Sequence, residues 1–172
     1  MGNDMTAQRA ANSDTFKVTT PNDLDIHFTR LFDAPRHLVF EAMSKPEHIK
    51  RWWGCLGEGY SVPVCEVDLR PGGAWRFVNR TPKGETVAFY GVYREIAAPE
   101  RVVFTEIFEP FPDSPSLVTS VLTEENGKTR LTVTCQYPSV EVRDMVLQTG
   151  MERGAGLSYD RLEEVALELQ RA

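Results

Sequence analysis

The chain reads as an α+β domain in which a curved antiparallel sheet of about seven strands wraps around one long C-terminal helix, with two short helices after strand 1. Three observations predict this. From Gly59 to Tyr137 apolar residues recur mostly with period two between compact turns; beyond residue 150 the period becomes helical; and proline-opened helical patterns fall between the first strand and Gly54. The links between successive strands are too short for crossovers, so neighbours pair antiparallel as a meander.

The elements follow in order. Residues 1–22 are rich in Ala, Asn, Ser, Asp and Thr and carry little apolar surface to offset ordering, so they are expected to form a disordered tail ahead of a single domain at 23–172. In the first strand, Leu24 to Phe32, Leu24, Ile26 and Phe28 alternate with Asp25 and His27. Pro35 suits the first position of a helix, and Leu38, Val39, Ala42 and Met43 give residues 35–44 one apolar face. Pro46 opens another short helix, ending in Trp52-Trp53-Gly54, with Trp52 expected on the outside. Strands are expected at 60–68, 73–80, 86–97, 101–109, 116–124 and 128–137, divided by turns such as Arg70-Pro71-Gly72-Gly73 and Glu125-Asn126-Gly127. Asn-Gly is the strongest hairpin signal among them, because both residues tolerate positive φ.

A short helix at 140–148 precedes the long one at 152–170, in which Ala155, Tyr159, Leu162, Ala166 and Leu169 step by four, three, four and three. Asp160, Glu163, Glu164 and Arg171 fall on its opposite, solvent face. Such a helix is about 28 Å long, and a strand of nine or ten residues about 30 Å, so one helix lies across the whole sheet. A sheet this wide must curl, and Gly91 in mid-strand marks a bend or a close approach. A curled sheet closed over one helix does not fill completely, and an elongated apolar cavity is the expected by-product.

Composition excludes several function classes. The 172 residues carry 25 Asp and Glu against 19 Lys and Arg, and no basic stripe, so nucleic acid is not an expected partner. No run approaches the roughly 18 apolar residues of a membrane span, and the N-terminus has no secretion signal, which leaves a cytoplasmic location by default. Cys55, Cys65 and Cys135 suit reduced thiols. Cys55, Cys65 and His48 lack the close ligand pairs of a zinc site, so neither a metal nor a cofactor is expected. Eleven of the seventeen aromatic residues lie between Trp52 and Phe111, a concentration that is either core or lining.

Several segments together resemble one family: Leu31-Phe32-Asp33-Ala34-Pro35, Trp52-Trp53-Gly54, Cys65 to Gly73, Gly91 to Ile96, Pro99 to Thr105, and Gly150-Met151-Glu152 with Arg161-Leu162-Glu163. The chain is similar to bacterial relatives of the C-terminal domain of the activator of the ninety-kilodalton heat-shock protein's ATPase, in the START-like (SRPBCC) superfamily. The resemblance implies a helix-grip fold around a hydrophobic pocket. It does not choose among lipid carriers, flavonoid binders, polyketide cyclases and oxygenase domains. The residues ahead of Leu24 are too few to be the extra domain of the eukaryotic co-chaperone, and the Cys and His pairs of an iron–sulfur cluster are missing.

Among residues that could do chemistry, His27, His37 and His48 read as structural or surface groups, and no nucleophile elbow occurs. Glu106 is the candidate acid or base. Its parity with Val102, Phe104 and Phe108 points it inward, whereas an inner face of Val103, Thr105 and Ile107 would leave it solvated, and both registers fit the pattern. Trp75 and Phe77 oppose Arg76 and Val78 and are expected inside. Trp53, Trp75, Phe77, Phe104, Glu106, Met151 and Tyr159 are therefore the expected ligand-binding set, an apolar wall with polar handles. The expected function is binding of a hydrophobic or aromatic small molecule by a monomer or homodimer. The alternatives are regulation of a chaperone ATPase through the surface, and a cyclase, dehydratase or hydrolase using Glu106.

Overall fold

The computed structural model describes residues 12–172. A single 3-10 turn, Ser13–Thr15, is followed by strand β1 (Lys17–Thr19), β2 (Asp25–Phe32), helices α1 (Arg36–Ser44) and α2 (Pro46–Trp52), strands β3 (Ser61–Val67), β4 (Ala74–Arg80), β5 (Thr86–Ala97), β6 (Arg101–Phe108), β7 (Ser116–Glu125) and β8 (Lys128–Gln136), and helices α3 (Val140–Gln148) and α4 (Met151–Arg171). The strands form one antiparallel sheet in the order β1-β2-β8-β7-β6-β5-β4-β3. From β3 to β8 this is the expected meander, and β2 closes against β8. The arrangement, a curved sheet holding a long C-terminal helix, is a helix-grip fold.

Local chemistry explains the boundaries. Pro46 occupies the first turn of α2, where a missing N–H costs nothing. Ser139 caps α3 by accepting the Val142 N–H at 3.2 Å. Asn126 and Gly127 sit at φ 53° and 80° between Glu125 and Lys128, which pair across β7 and β8. Gly91 answers the expectation of a close approach: a Cβ there would lie 1.7 Å from the carbonyl oxygen of Thr105. That oxygen also accepts the Trp75 indole N–H at 3.1 Å. A bulge follows between Tyr93 and Glu95, so the sheet bends where β5 meets β6.

Two expectations need correction. The tail assigned to residues 1–22 begins to belong to the fold by residue 12, which makes the strand count eight; residues 1–11 lie outside the described residues. β1 pairs with β2, Phe16 packs edge-on to Phe28 and Tyr159, and Asn12 donates to Glu163 Oε2 at 3.0 Å. One ring and a few tertiary hydrogen bonds order a segment whose composition is polar. The second correction concerns Glu163, expected in solvent but only 1% exposed. Arg30, also 1% exposed and inward on β2, reaches Asp160 at 2.5 Å and Glu163 at 3.3 Å. The Asp33 N–H donates to Glu163 at 3.0 Å, so a buried carboxylate is tolerated because an equally buried guanidinium and two further donors face it.

The register divides the inner face of the sheet into unlike halves. On β2, β7 and β8 the inward residues, from Ile26 and Phe32 to Val118, Leu131 and Cys135, are all buried. They pack with Val39 and Ala42 of α1, Ile49 of α2, and Leu162, Val165 and Ala166 of α4 into a dry core. On β3 to β6, by contrast, Trp75 and Tyr93 are buried, but Cys65, Val67, Phe77, Phe89, Phe104, Glu106 and Phe108 point the same way and are only half-buried.

Candidate functional site

The half-covered face is built from rings. Trp53 lies edge-on to Phe77 and Phe89 at 5.2 and 5.1 Å between centroids, Trp75 contacts Phe77 at 4.9 Å and Phe104 at 5.5 Å, and Phe89 leans on Phe108 at 5.1 Å. Tyr93 extends the network from Phe104. Four of the expected set, Trp53, Trp75, Phe77 and Phe104, therefore meet in one aromatic cluster.

Tyr159 and Met151 stand elsewhere. Tyr159 packs against Phe16, Phe28, Phe32 and Trp52, a second ring cluster that belongs to the dry core. Met151 opens α4 and packs half-buried at the edge of that core. Adjacent tryptophans thus serve different clusters. Trp52, expected outside, is instead 7% exposed, with its indole donating to the Ala42 carbonyl at 2.9 Å. Trp53 leaves the helix in extended backbone, φ −68° and ψ 122°, which swings its ring to the other cluster.

Gly54 holds that swing in place. It sits at φ +62°, its N–H donates to Ser158 Oγ of α4 at 3.1 Å, and its carbonyl accepts the Asn79 side-chain amide of β4 at 3.0 Å. A side chain at residue 54 would come within 2.6 Å of that amide. The tryptophan loop is thereby tied to both the helix and the sheet.

Glu106 faces inward. It is the register partner of Ser116, and its neighbours on the same face of β6 are Phe104 and Phe108. Of the two registers the sequence allowed, the one with Val102, Phe104 and Phe108 inward is found; Thr105 points outward, its hydroxyl accepting the Val92 N–H at 3.0 Å. Burial pushes the Glu106 carboxyl up to about 7, and no hydrogen bond or ion pair of its side chain offsets this among the described residues. Its nearest titratable company is neutral. Burial raises the Tyr159 and Tyr137 phenols and the Cys135 thiol, and each feels the Glu106 charge as a further upward push. Cys65, also on the inner face, is raised to about 11 by burial.

At the end of the sheet where Ser116 and Tyr137 sit, an open groove of roughly 320 Å³ runs between Arg94, Thr105, Pro115, Leu117, Gln136 and Pro138. Phe89, Phe108 and Tyr137 are site neighbours that were not singled out beforehand. Phe89 carried a usable signal, since it shares strand parity with Gly91 and Tyr93; Tyr137, just past its strand, carried none. His48 lies 3.9 Å from Glu41 on the helical layer. Among the described residues no group of three His, Cys, Asp or Glu is placed to hold a metal ion, and no helix is long and apolar enough to cross a membrane.

A helix gripped by a curved sheet, with an aromatic half-face left partly uncovered, defines the START-like class. Residues 33–166 match the family model described as activator of Hsp90 ATPase homolog 1-like protein, and the chain belongs to that family. Among solved structures it is similar to a protein from Rhodobacter sphaeroides, at TM-score 0.80 and 23% identity over 90% of this chain and 99% of that one. A Mycobacterium smegmatis protein gives TM-score 0.76 and 27% identity over 89% and 99%, and one from Nitrosomonas europaea 0.77 and 23% over 89% and 100%. No curated protein matches.

Proposed function

We propose that the chain binds an apolar or aromatic small molecule between α4 and the β3–β6 half of the sheet. The carrying observation is the contrast between the two halves of one inner face. Side chains that point into a domain and still keep solvent-accessible surface border a space, and here they are Phe77, Phe89, Phe104, Glu106 and Phe108. Bulky rings with few polar groups are the usual lining of a small-molecule site. The Gly54 ties support it further, by holding Trp53 over Phe77 and Phe89 of this half.

The test is native mass spectrometry of the purified chain together with thermal shift against a hydrophobic library. A co-purifying species, or stabilisation that Phe77→Trp abolishes by filling the space, is expected. Absence of both refutes the pocket. A second reading, proton transfer by Glu106, is favoured by its carboxyl lying near neutrality, where an acid or base works best. Once a turnover is found, Glu106→Gln leaving it intact removes that assignment.

A further inference from the structure

Among the described residues, Glu106 is the carboxyl of the half-covered face, and no group of opposite sign is paired with it. β5 contributes Gly91 and Tyr93 beside Glu106 and β7 contributes Ser116, while Cys135 of β8, Tyr137 just beyond it and Tyr159 of α4 reach it from the adjoining core. Ser116 Oγ is engaged with the Glu106 main-chain carbonyl at 3.3 Å. Arg30, buried on the inner face, is held by Asp160 and Glu163. Among the described residues no Lys, Arg or His acts on Glu106.

We infer that this pocket selects ligands carrying a cationic amine on an aromatic or apolar body, with the ammonium paired to Glu106 and flanked by the rings of Phe104 and Phe108. The inference rests on the pocket proposed above and adds its charge class. Aromatic faces are negative and attract cations, and an ionised carboxylate in the same space makes the local potential negative. An ammonium entering it supplies the countercharge that the fold omits, and a buried charge is tolerated when paired. A carboxylate ligand would meet repulsion instead. An alcohol would gain one hydrogen bond and no charge neutralisation. Because burial holds Glu106 partly protonated near pH 7, an amine that arrives charged displaces a proton from it on binding.

Three probes with one skeleton separate the contributions: 2-(2-naphthyl)ethylamine, 2-(2-naphthyl)ethanol and 2-naphthylacetate, titrated calorimetrically into the full chain at pH 8 and pH 5. At pH 8 the amine is expected to bind at least tenfold tighter than the alcohol, with the acetate weakest. That advantage should shrink at pH 5 and vanish in Glu106→Gln, while the alcohol's affinity stays. Proton release on amine binding at pH 7, read from two buffers of different ionisation heat, is a further expected signature. An alcohol that binds as tightly as the amine in the wild type, or an amine advantage that survives at pH 5 or in the variant, overturns the charge preference while leaving the pocket standing. Failure of all three probes to bind either protein overturns the pocket and the preference together.

Discussion

Replacing Glu106 by Gln should stabilise the protein, and only where the carboxyl would otherwise be forced to ionise. In the unfolded chain this group titrates near 4.5, while in the fold burial holds it near 7. Below pH 4.5 it is protonated in both states and costs nothing. As pH rises, the unfolded chain releases the proton first, so stability falls through this window and the loss is complete above about pH 7. At about 1.4 kcal/mol per unit the gap amounts to about 3 kcal/mol, an upper value because solvent still reaches the half-buried carboxyl. The amide has no proton to lose. Urea denaturation should therefore show the variant about 3 kcal/mol more stable at pH 8 and less than about 1 kcal/mol more stable at pH 5. In a thermal scan at pH 8 this is roughly 6–12 °C for a chain of this size. Taking the difference between variant and wild type removes every other titrating group. Equal effects at both pH values, or destabilisation at both, would refute an inward, unpaired carboxyl.

Other consequences are as specific. Arg30→Met should cost about 3–5 kcal/mol, because Glu163 is left buried without its countercharge; the double variant Arg30→Met with Glu163→Leu should recover much of the loss, read by urea midpoint. Gly91→Ala should cost about 1–3 kcal/mol or more, since the methyl meets the Thr105 carbonyl, and the near-ultraviolet signal of Trp75 should change as its hydrogen bond breaks. Ser158→Ala removes the acceptor for the Gly54 N–H; a loss of about 1 kcal/mol with a red shift of Trp53 emission is expected, and an unchanged spectrum would show that the tie does not hold the ring.

The frame of the fold was legible along the chain because each element announces its own period. Asn126-Gly127, the Pro46 start and the stepping of Tyr159, Leu162 and Ala166 are local signals, and each falls where the structure has the matching feature. The misplacements came from groups whose environment is set by distant partners. Glu163 sits on the charged stripe of α4, and nothing nearby in sequence reveals Arg30 of β2 across the domain. Phe16 is one ring in a polar stretch, and its burial depends on Phe28 and Tyr159 being there to receive it. Trp52 and Trp53 are the same residue type side by side, yet one backbone turn at a helix end sends them into different clusters.

The sequence by itself determined the order of elements from β2 onward, the meander, the long C-terminal helix, and the family. Periodicity and turn chemistry act over a few residues and need no partner to be read. Tertiary structure alone decided which half of the inner face is fully buried and which is only half-buried. It also decided that Glu106 points to the half-buried side with no countercharge among the described residues, because both strand registers satisfied the alternation and only the pairing of Glu106 with inward-facing Ser116 selects between them. Packing against α1, α2 and the far end of α4 dries one side of the sheet. One helix cannot cover both sides equally.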